Sequence, residues 1–280
     1  MLRPFRLLKL LFALVIAFIL LTQPSRAGGG SSALHSLLTL DETRGWEGVG
    51  RLNMGARSFC TGALIAENLV LTAAHCLFDP DSGTRIDVAE IEFLAGWRSG
   101  RASAYRGVRR AVVHPGYGLD TGSAEQRVRY DLALLELDRP IRSTSIRPFA
   151  VHEKPRKGDE VGVVSYALGR ADAPSLQESC KVLARQSGAL ILSCEVDFGS
   201  SGAPVFVFED GVAQIVSVIS AKARVRDLPV SLGTDLARPL ARMLDLLDAS
   251  EGAFSAPQPT ARLMTGDDGI SSTGARFLRP

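Results

Sequence analysis

Leu71-Thr72-Ala73-Ala74-His75-Cys76 ends an apolar, β-like run on a histidine and a cysteine. Imidazole titrates near neutral pH, so a histidine in such a place is a candidate general base. Two further stretches give it companions. Tyr130-Asp131-Leu132-Ala133-Leu134-Leu135 opens an apolar run on a carboxylate, and Gly199-Ser200-Ser201-Gly202-Ala203-Pro204 puts two serines in a glycine-flanked turn. The three segments supply His, Asp and Ser in that chain order. Unrelated folds assemble this triad in different orders, so the order itself carries information about fold.

The surroundings of these segments are short β-like runs broken by Gly, Pro and Asp: 62–72, 89–94, 108–113, 132–137, 160–166, 190–194, 204–208 and 212–219. Many short strands with turn signals between them predict a barrel or sandwich. One amphipathic helix is expected near the end, over 235–248. Leu236, Leu240, Met243, Leu244 and Leu247 recur at helical spacing there, with Asp235 placed to cap the start. Residues 249–280 are rich in Gly, Ser, Ala, Pro and Thr without a periodic apolar face, and read as a flexible tail.

The chain has 280 residues, 46% of them hydrophobic and 22% charged, which suits one large globular domain or two small ones. Its 32 basic and 30 acidic residues carry no basic surplus of the kind a nucleic-acid partner leaves, so none is expected. The N-terminus reads as an export signal over 1–27. Arg3, Arg6 and Lys9 precede an unbroken apolar run, Leu10 to Leu21, and Ser25-Arg26-Ala27 offers small residues around a cut after Ala27. Twelve apolar residues fall short of the roughly 20 that a membrane span needs, so no stable span is expected after cleavage. Removing the four basic residues of 1–27 leaves 28 basic against 30 acidic groups. Export to the periplasm or the medium would put Cys60, Cys76, Cys180 and Cys194 in an oxidising compartment. Four cysteines allow three pairings. Residues 28–44 read as a linker or leader with little pattern.

The three chemical blocks resemble those of the trypsin-like (chymotrypsin-fold) serine endopeptidases, and look most like the bacterial, glutamyl-endopeptidase-like branch. The likeness covers about Trp46 to Leu247. Thr72-Ala73-Ala74-His75-Cys76 is the family's block intact; Asp131-Leu132-Ala133-Leu134-Leu135 is close to its Asp-Ile-Ala-Leu-Leu; its Gly-Asp-Ser-Gly-Gly-Pro is altered to Gly199-Ser200-Ser201-Gly202-Ala203-Pro204. The resemblance implies an all-β fold of two antiparallel six-stranded β-barrels, about 45–145 and 155–235, with a C-terminal α-helix. It implies an exported serine endopeptidase cutting peptide bonds through an acyl-enzyme. His75 would be the base, Asp131 its orienting partner and Ser201 the nucleophile, with the Gly199 and Ser201 N–H groups as the oxyanion hole. It implies the disulfides Cys60–Cys76 and Cys180–Cys194, each worth about 3 kcal/mol in a chain-entropy model. A protein or peptide is the expected partner, the chain is expected to be a monomer, and no cofactor is expected.

Ser200 departs from the family pattern. Trypsin-like zymogens carry Asp there, paired after processing with the ammonium of an Ile-Val-Gly-Gly-type start. Ser200 is uncharged and no such start occurs near Trp46, so both halves of that device are missing. The resemblance then implies another support for the oxyanion hole. Specificity stays open. Glu195 falls at the base of the substrate pocket if the loop has no insertion, and would favour a basic side chain. Ser217 matches the strand serine that lines the pocket, and Ile219 would narrow it. Asp79, Asp81, Asp87 and Glu90 follow a calcium-loop count, but position 6 is Thr84 where Gly is required, so a metal is not expected. The rival reading is a latent or inactive member of the same fold that binds partners. A heat-shock-type protease with a PDZ domain is not expected, because the tail of roughly 30 residues is short for one.

Overall fold

The computed structural model describes residues 31–55, 58–118, 123–152 and 155–255. The expected export signal lies outside the described residues, as does the expected tail from 256 onward.

The chain enters through a short strand, β1 (His35–Ser36), and then builds two closed rings of antiparallel strands. The first ring contains β2 (Val49–Met54), β3 (Ser58–Ala66), β4 (Leu69–Thr72), β5 (Ile91–Ala95), β6 (Ala104–Val113) and β7 (Ala133–Leu137). They run in the order β6-β5-β2-β3-β4-β7, and β6 pairs with β7 to close the ring. The second contains β8 (Glu160–Ala167), β9 (Arg170–Gln186), β10 (Ala189–Leu192), β11 (Pro204–Glu209), β12 (Val212–Val225) and β13 (Leu228–Asp235). Their order is β9-β10-β13-β12-β11-β8, closed by β8 on β9. The expected architecture of two six-stranded barrels is therefore present. A last strand, β14 (Phe254–Ser255), adds to β6 outside the first ring.

Apolar side chains fill both rings. Leu52, Leu64, Val70, Leu71, Phe93, Val112 and Leu134 are fully or almost fully buried in the first, and Val161, Val163, Val182, Leu190, Leu192 and Val205 in the second. Each such burial stabilises by about 1.5–3 kcal/mol. Gly50 on β2 makes room for Phe93 on the neighbouring β5: a Cβ there would stand 2.3 Å from the Phe93 ring. Between the barrels, Trp46, Phe149 and Phe206 form one aromatic cluster, with centroids 4.9 Å apart for Phe149–Phe206 and 5.2 Å for Trp46–Phe206.

Two helices complete the fold, α1 (Ala124–Tyr130) and α2 (Pro239–Ala249). The C-terminal helix starts later than the sequence predicts. Asp235 ends β13 and bonds Arg185, while Pro239 occupies the first helical turn with Arg238 before it. Proline suits that place because its missing N–H has no intrahelical acceptor there. Its buried face is Leu240, Met243, Leu246 and Leu247; Leu244 points outward, 37% exposed.

Neither flanking segment is featureless where it is described. Ser32 donates its backbone N–H to Ser179 O at 2.7 Å, β1 pairs with β9, and Leu37 is buried, so the segment read as linker or leader lies as an extra strand on the second barrel. The start of the expected tail is likewise structured, since 249 closes α2 and β14 pairs with β6. Strand β9, long and polar with Pro174 inside it, has no counterpart among the sequence-based strands. Among the described residues no helix is long and apolar enough to cross a membrane.

Candidate active site

His75 and Asp131 are brought together by strand pairing. β4 and β7 are antiparallel neighbours, with Thr72 opposite Ala133. The residues just after β4 and just before β7 therefore emerge at the same end of the first barrel. His75 sits there in a 3-10 turn, Ala74–Leu77, and the Cys76–Cys60 disulfide ties that turn back to β3. Asp131 closes α1, whose start is a capping box: Ser123 Oγ accepts the Gln126 N–H, and Gln126 Oε1 accepts the Ser123 N–H.

The carboxylate of Asp131 is 3% exposed and receives three donors. His75 Nδ1 lies 2.7 Å from Oδ2, the His75 backbone N–H reaches Oδ1 at 2.9 Å, and the Ser220 hydroxyl donates to Oδ2. Bonding to a carboxylate holds the ring proton on Nδ1 and leaves the Nε2 lone pair available. Burial by itself would lower the His75 pKa. The charge of Asp131 and its hydrogen bond outweigh burial and hold it above the ordinary value of 6.5.

Ser201 comes from the second barrel, in the turn before β11. It lines the same cleft as His75, a cavity of about 630 Å³, and makes no hydrogen bond to it. The turn is tied across to the first barrel. Thr61 donates its N–H to Ser201 O at 2.8 Å and its hydroxyl to Gly199 O at 2.9 Å. Two glycines are required. Gly202 has φ +78°, and a Cβ on it would stand 2.1 Å from Thr72 Oγ1; Gly199 has φ +94°, and a Cβ would stand 2.3 Å from the Phe59 ring. Successive amides alternate in use. Ser200 N–H donates to Asp197 O and Gly202 N–H to Ile219 O, whereas the Gly199 and Ser201 N–H groups have no acceptor among the described residues. Two unengaged amides in one serine turn can receive an oxyanion.

Ser200 is fully buried and faces an arginine. Arg170, at the start of β9, donates Nη2 to Ser200 Oγ (3.1 Å) and Ser165 Oγ (3.0 Å), and Nη1 to Ser165 O (2.8 Å). Burial holds its pKa below the usual guanidinium value, countered by the charges of Asp197 and Glu195. This residue was not singled out in the sequence. Nothing local marks it: Gly169-Arg170 reads as a hairpin turn, and only the pairing of β8 with β11 carries that hairpin under the serine turn.

The residues expected to set specificity separate. Ile219 lines the cleft. Ser217 does not; it is fully buried and donates its hydroxyl to Thr234 O at 2.8 Å. The strand serine of the cleft is Ser220, because the pairing of β12 with β13 shifts between Ile219 and Ala221 and turns the next positions toward the site. Glu195 is exposed and lines a neighbouring cavity of about 480 Å³, with Val196 and Lys222 lining both spaces. Lys222 Nζ bonds Asp197 Oδ1 at 2.7 Å beside the Phe198 ring. The cleft wall itself is largely apolar: Phe59, Phe78, Leu168, Val196 and Phe198.

The second disulfide joins Cys180 to Cys194. Cys60, Cys76 and His75 lie close enough to hold a metal, but disulfide sulfurs are not thiolates and do not ligate as such. In the acidic stretch after His75, Asp79 Oδ1 accepts from Asp81 N–H, Ser82 N–H and the Ser82 hydroxyl, and Asp87 Oδ1 accepts the Ala89 N–H, so these carboxylates cap local turns.

A family model described as Trypsin matches residues 41–224. Granzyme M of Rattus norvegicus is 35% identical over 98 residues, which are 35% of this chain and 34% of that protein. Glutamyl endopeptidase of Bacillus licheniformis is 26% identical over 148 residues, 52% of this chain and 45% of that protein. The chain thus spans less than half the length of these curated relatives. The solved structure of a Glu endopeptidase in complex with MPD superposes with a TM-score of 0.63 at 19% identity, over 79% of this chain and 98% of that one, a likeness of fold.

Proposed function

Because this chain belongs to the trypsin family, we propose that it is a serine endopeptidase in which Ser201, His75 and Asp131 act as the triad. The observation that carries this reading is the His75 Nδ1–Asp131 Oδ2 bond of 2.7 Å in the cleft that also holds Ser201 and the unengaged Gly199 and Ser201 amides.

Each group has a defined task. A serine hydroxyl is a weak nucleophile at neutral pH, so its proton passes to His75 Nε2 as Oγ attacks the peptide carbonyl carbon. Asp131 keeps the imidazole in the accepting tautomer and stabilises the imidazolium that forms. The Gly199 and Ser201 N–H groups receive the carbonyl oxygen as it becomes an oxyanion. His75 then returns the proton to the leaving amine, the C–N bond breaks, and the acyl group stays on Ser201. Water repeats the sequence: it loses a proton to His75, the ester bond breaks, and Ser201 Oγ is reprotonated. Arg170 supports the oxyanion turn through Ser200, in the place where the family's ion pair with a processed N-terminus is missing. Ser220 anchors Asp131 from the second barrel.

Residues 1–27 serve as a cleaved export signal in this reading. Two disulfides support it, since they persist in an oxidising compartment. The apolar cleft wall supports substrates with apolar side chains next to the scissile bond.

A fluorophosphonate probe tests the proposal, because it labels only an activated serine. Wild type and Ser200→Ala label, and Ser201→Ala does not. A folded wild type that stays unlabelled would favour the latent binding protein, and labelling that survives Ser201→Ala would move the nucleophile elsewhere.

A further inference from the structure

On the far side of Asp131 the structure gathers positive charge that the proposed reaction does not use. A cavity of about 480 Å³ is lined by Arg129 in α1, Arg185 on β9, and Arg238 and Arg242 at the start of α2, together with His114, Tyr130 and Asp235. It shares no lining residue with the cleft of Ser201. The whole chain is nearly neutral, so four guanidiniums around one hollow are a local concentration.

The carboxylate in this set is already taken. Arg185 binds Asp235 Oδ2 through Nε at 2.9 Å and again through Nη2. None of the other three guanidiniums pairs with a carboxylate among the described residues. One of them is positioned by packing. The Arg129 stem runs over Gly188, where an added Cβ would stand 2.9 Å from its Cγ, and its guanidinium carbon is 5.1 Å from the Tyr130 ring centroid. Tyr130 in turn stacks on His114, centroids 4.7 Å apart and planes within 11°.

His114 is an independent indicator. The residue is more than nine-tenths buried, and its Nδ1 accepts the Gly116 N–H at 3.1 Å. The ring proton of the neutral form therefore sits on Nε2, which has no partner among the described residues. Burial holds its pKa below the ordinary value, and the charges of Arg242 and Arg129 lower it further.

We propose that this hollow is a binding site for a small molecule bearing two or more oxyanion groups, separate from the active-site cleft. Guanidinium forks match phosphate and carboxylate oxygens two at a time, and several around one hollow select a ligand with more than one anionic group. The volume lies in the range of small-ligand pockets. The proposal stands on these residues alone and does not depend on the protease reading.

Inorganic pyrophosphate is the probe. Isothermal titration of the whole chain is expected to show saturable binding, weakened at least about tenfold in Arg238→Gln/Arg242→Gln. The Arg224→Gln variant, an exposed arginine outside the hollow, keeps wild-type binding. The His114 imidazole, followed by NMR, titrates at higher pH when pyrophosphate is bound, because the anion offsets the field that depresses it. Absence of saturable binding overturns the proposal. So does binding that the double variant leaves unchanged, or binding that leaves His114 unmoved.

Discussion

The two halves of the candidate site are held by different physics. On the first barrel, His75 and Asp131 are joined by charge-assisted bonds: one carboxylate accepts a backbone amide, an imidazole and a hydroxyl. On the second, the turn carrying Ser201 is held by neutral bonds to Thr61 and by one guanidinium acting on uncharged hydroxyls. The acid-base half is thus complete without substrate. The nucleophile half has its amides in place while Ser201 stands without a bond to His75. Charge-assisted bonds are roughly twice as strong as neutral ones; three converge on the Asp131 carboxylate, whereas the serine turn has one, from Arg170 to Ser200, so the serine turn is the softer half. Its support by Arg170 is then the feature most specific to this chain.

Asp131→Asn breaks the stiff half directly. The amide holds His75 in the wrong tautomer, and turnover of a peptide ester is expected to fall about 10⁴-fold with the fold intact by circular dichroism. A loss no larger than that of an exposed acid variant would remove Asp131 from the mechanism. Arg170→Ala probes the soft half. The expected outcome is a fall in kcat of about 10²-fold, approaching the loss of an oxyanion donor, with KM nearly unchanged and partial rescue in Arg170→Lys. Equal changes in kcat and KM, or no rescue by lysine, would make Arg170 an ordinary packing residue.

Ser220→Ala couples the halves, since it removes the second barrel's bond to Asp131. A hydrogen bond to a charged group contributes about 1.5–3 kcal/mol, so about a tenfold drop in turnover is expected. A drop that is additive with Arg170→Ala in the double variant would show that the two supports are independent. The smallest effect is on pH. His75 must be neutral to act as base, and Asp131 holds its folded pKa above 6.5. The kcat/KM profile should therefore fall on the acid side at a pH above that of a free imidazole, and this limb should move to still higher pH in Ser220→Ala, because loss of that donor leaves more of the Asp131 charge acting on His75.

Several elements were readable without coordinates because the information is local. The runs at 132–137, 160–166 and 204–208 alternate or cluster apolar residues, and all three are strands. Helix α1 carries one local signal, the Ser-x-x-Gln box of Ser123 and Gln126, but it has seven residues and one buried apolar side chain, Val128, so no periodicity announces it. Strand β9 was hidden by its polar composition. Its first half is one arm of a hairpin with β8, and β1 pairs on its other side, a contact about 140 residues away that no window of sequence contains.

The sequence by itself determined the family, the residue types of the proposed triad, and where glycine must stand around Ser201, because each is written in adjacent residues. Only the tertiary structure decided that the strand serine of the cleft is Ser220 rather than Ser217, that Arg170 lies beneath Ser200, and that four arginines from α1, β9 and α2 surround one hollow. The reason is physical. Local patterns select strands and turns, whereas register shifts and barrel closure set which distant side chains meet, and a one-residue slip in a strand exchanges its two faces.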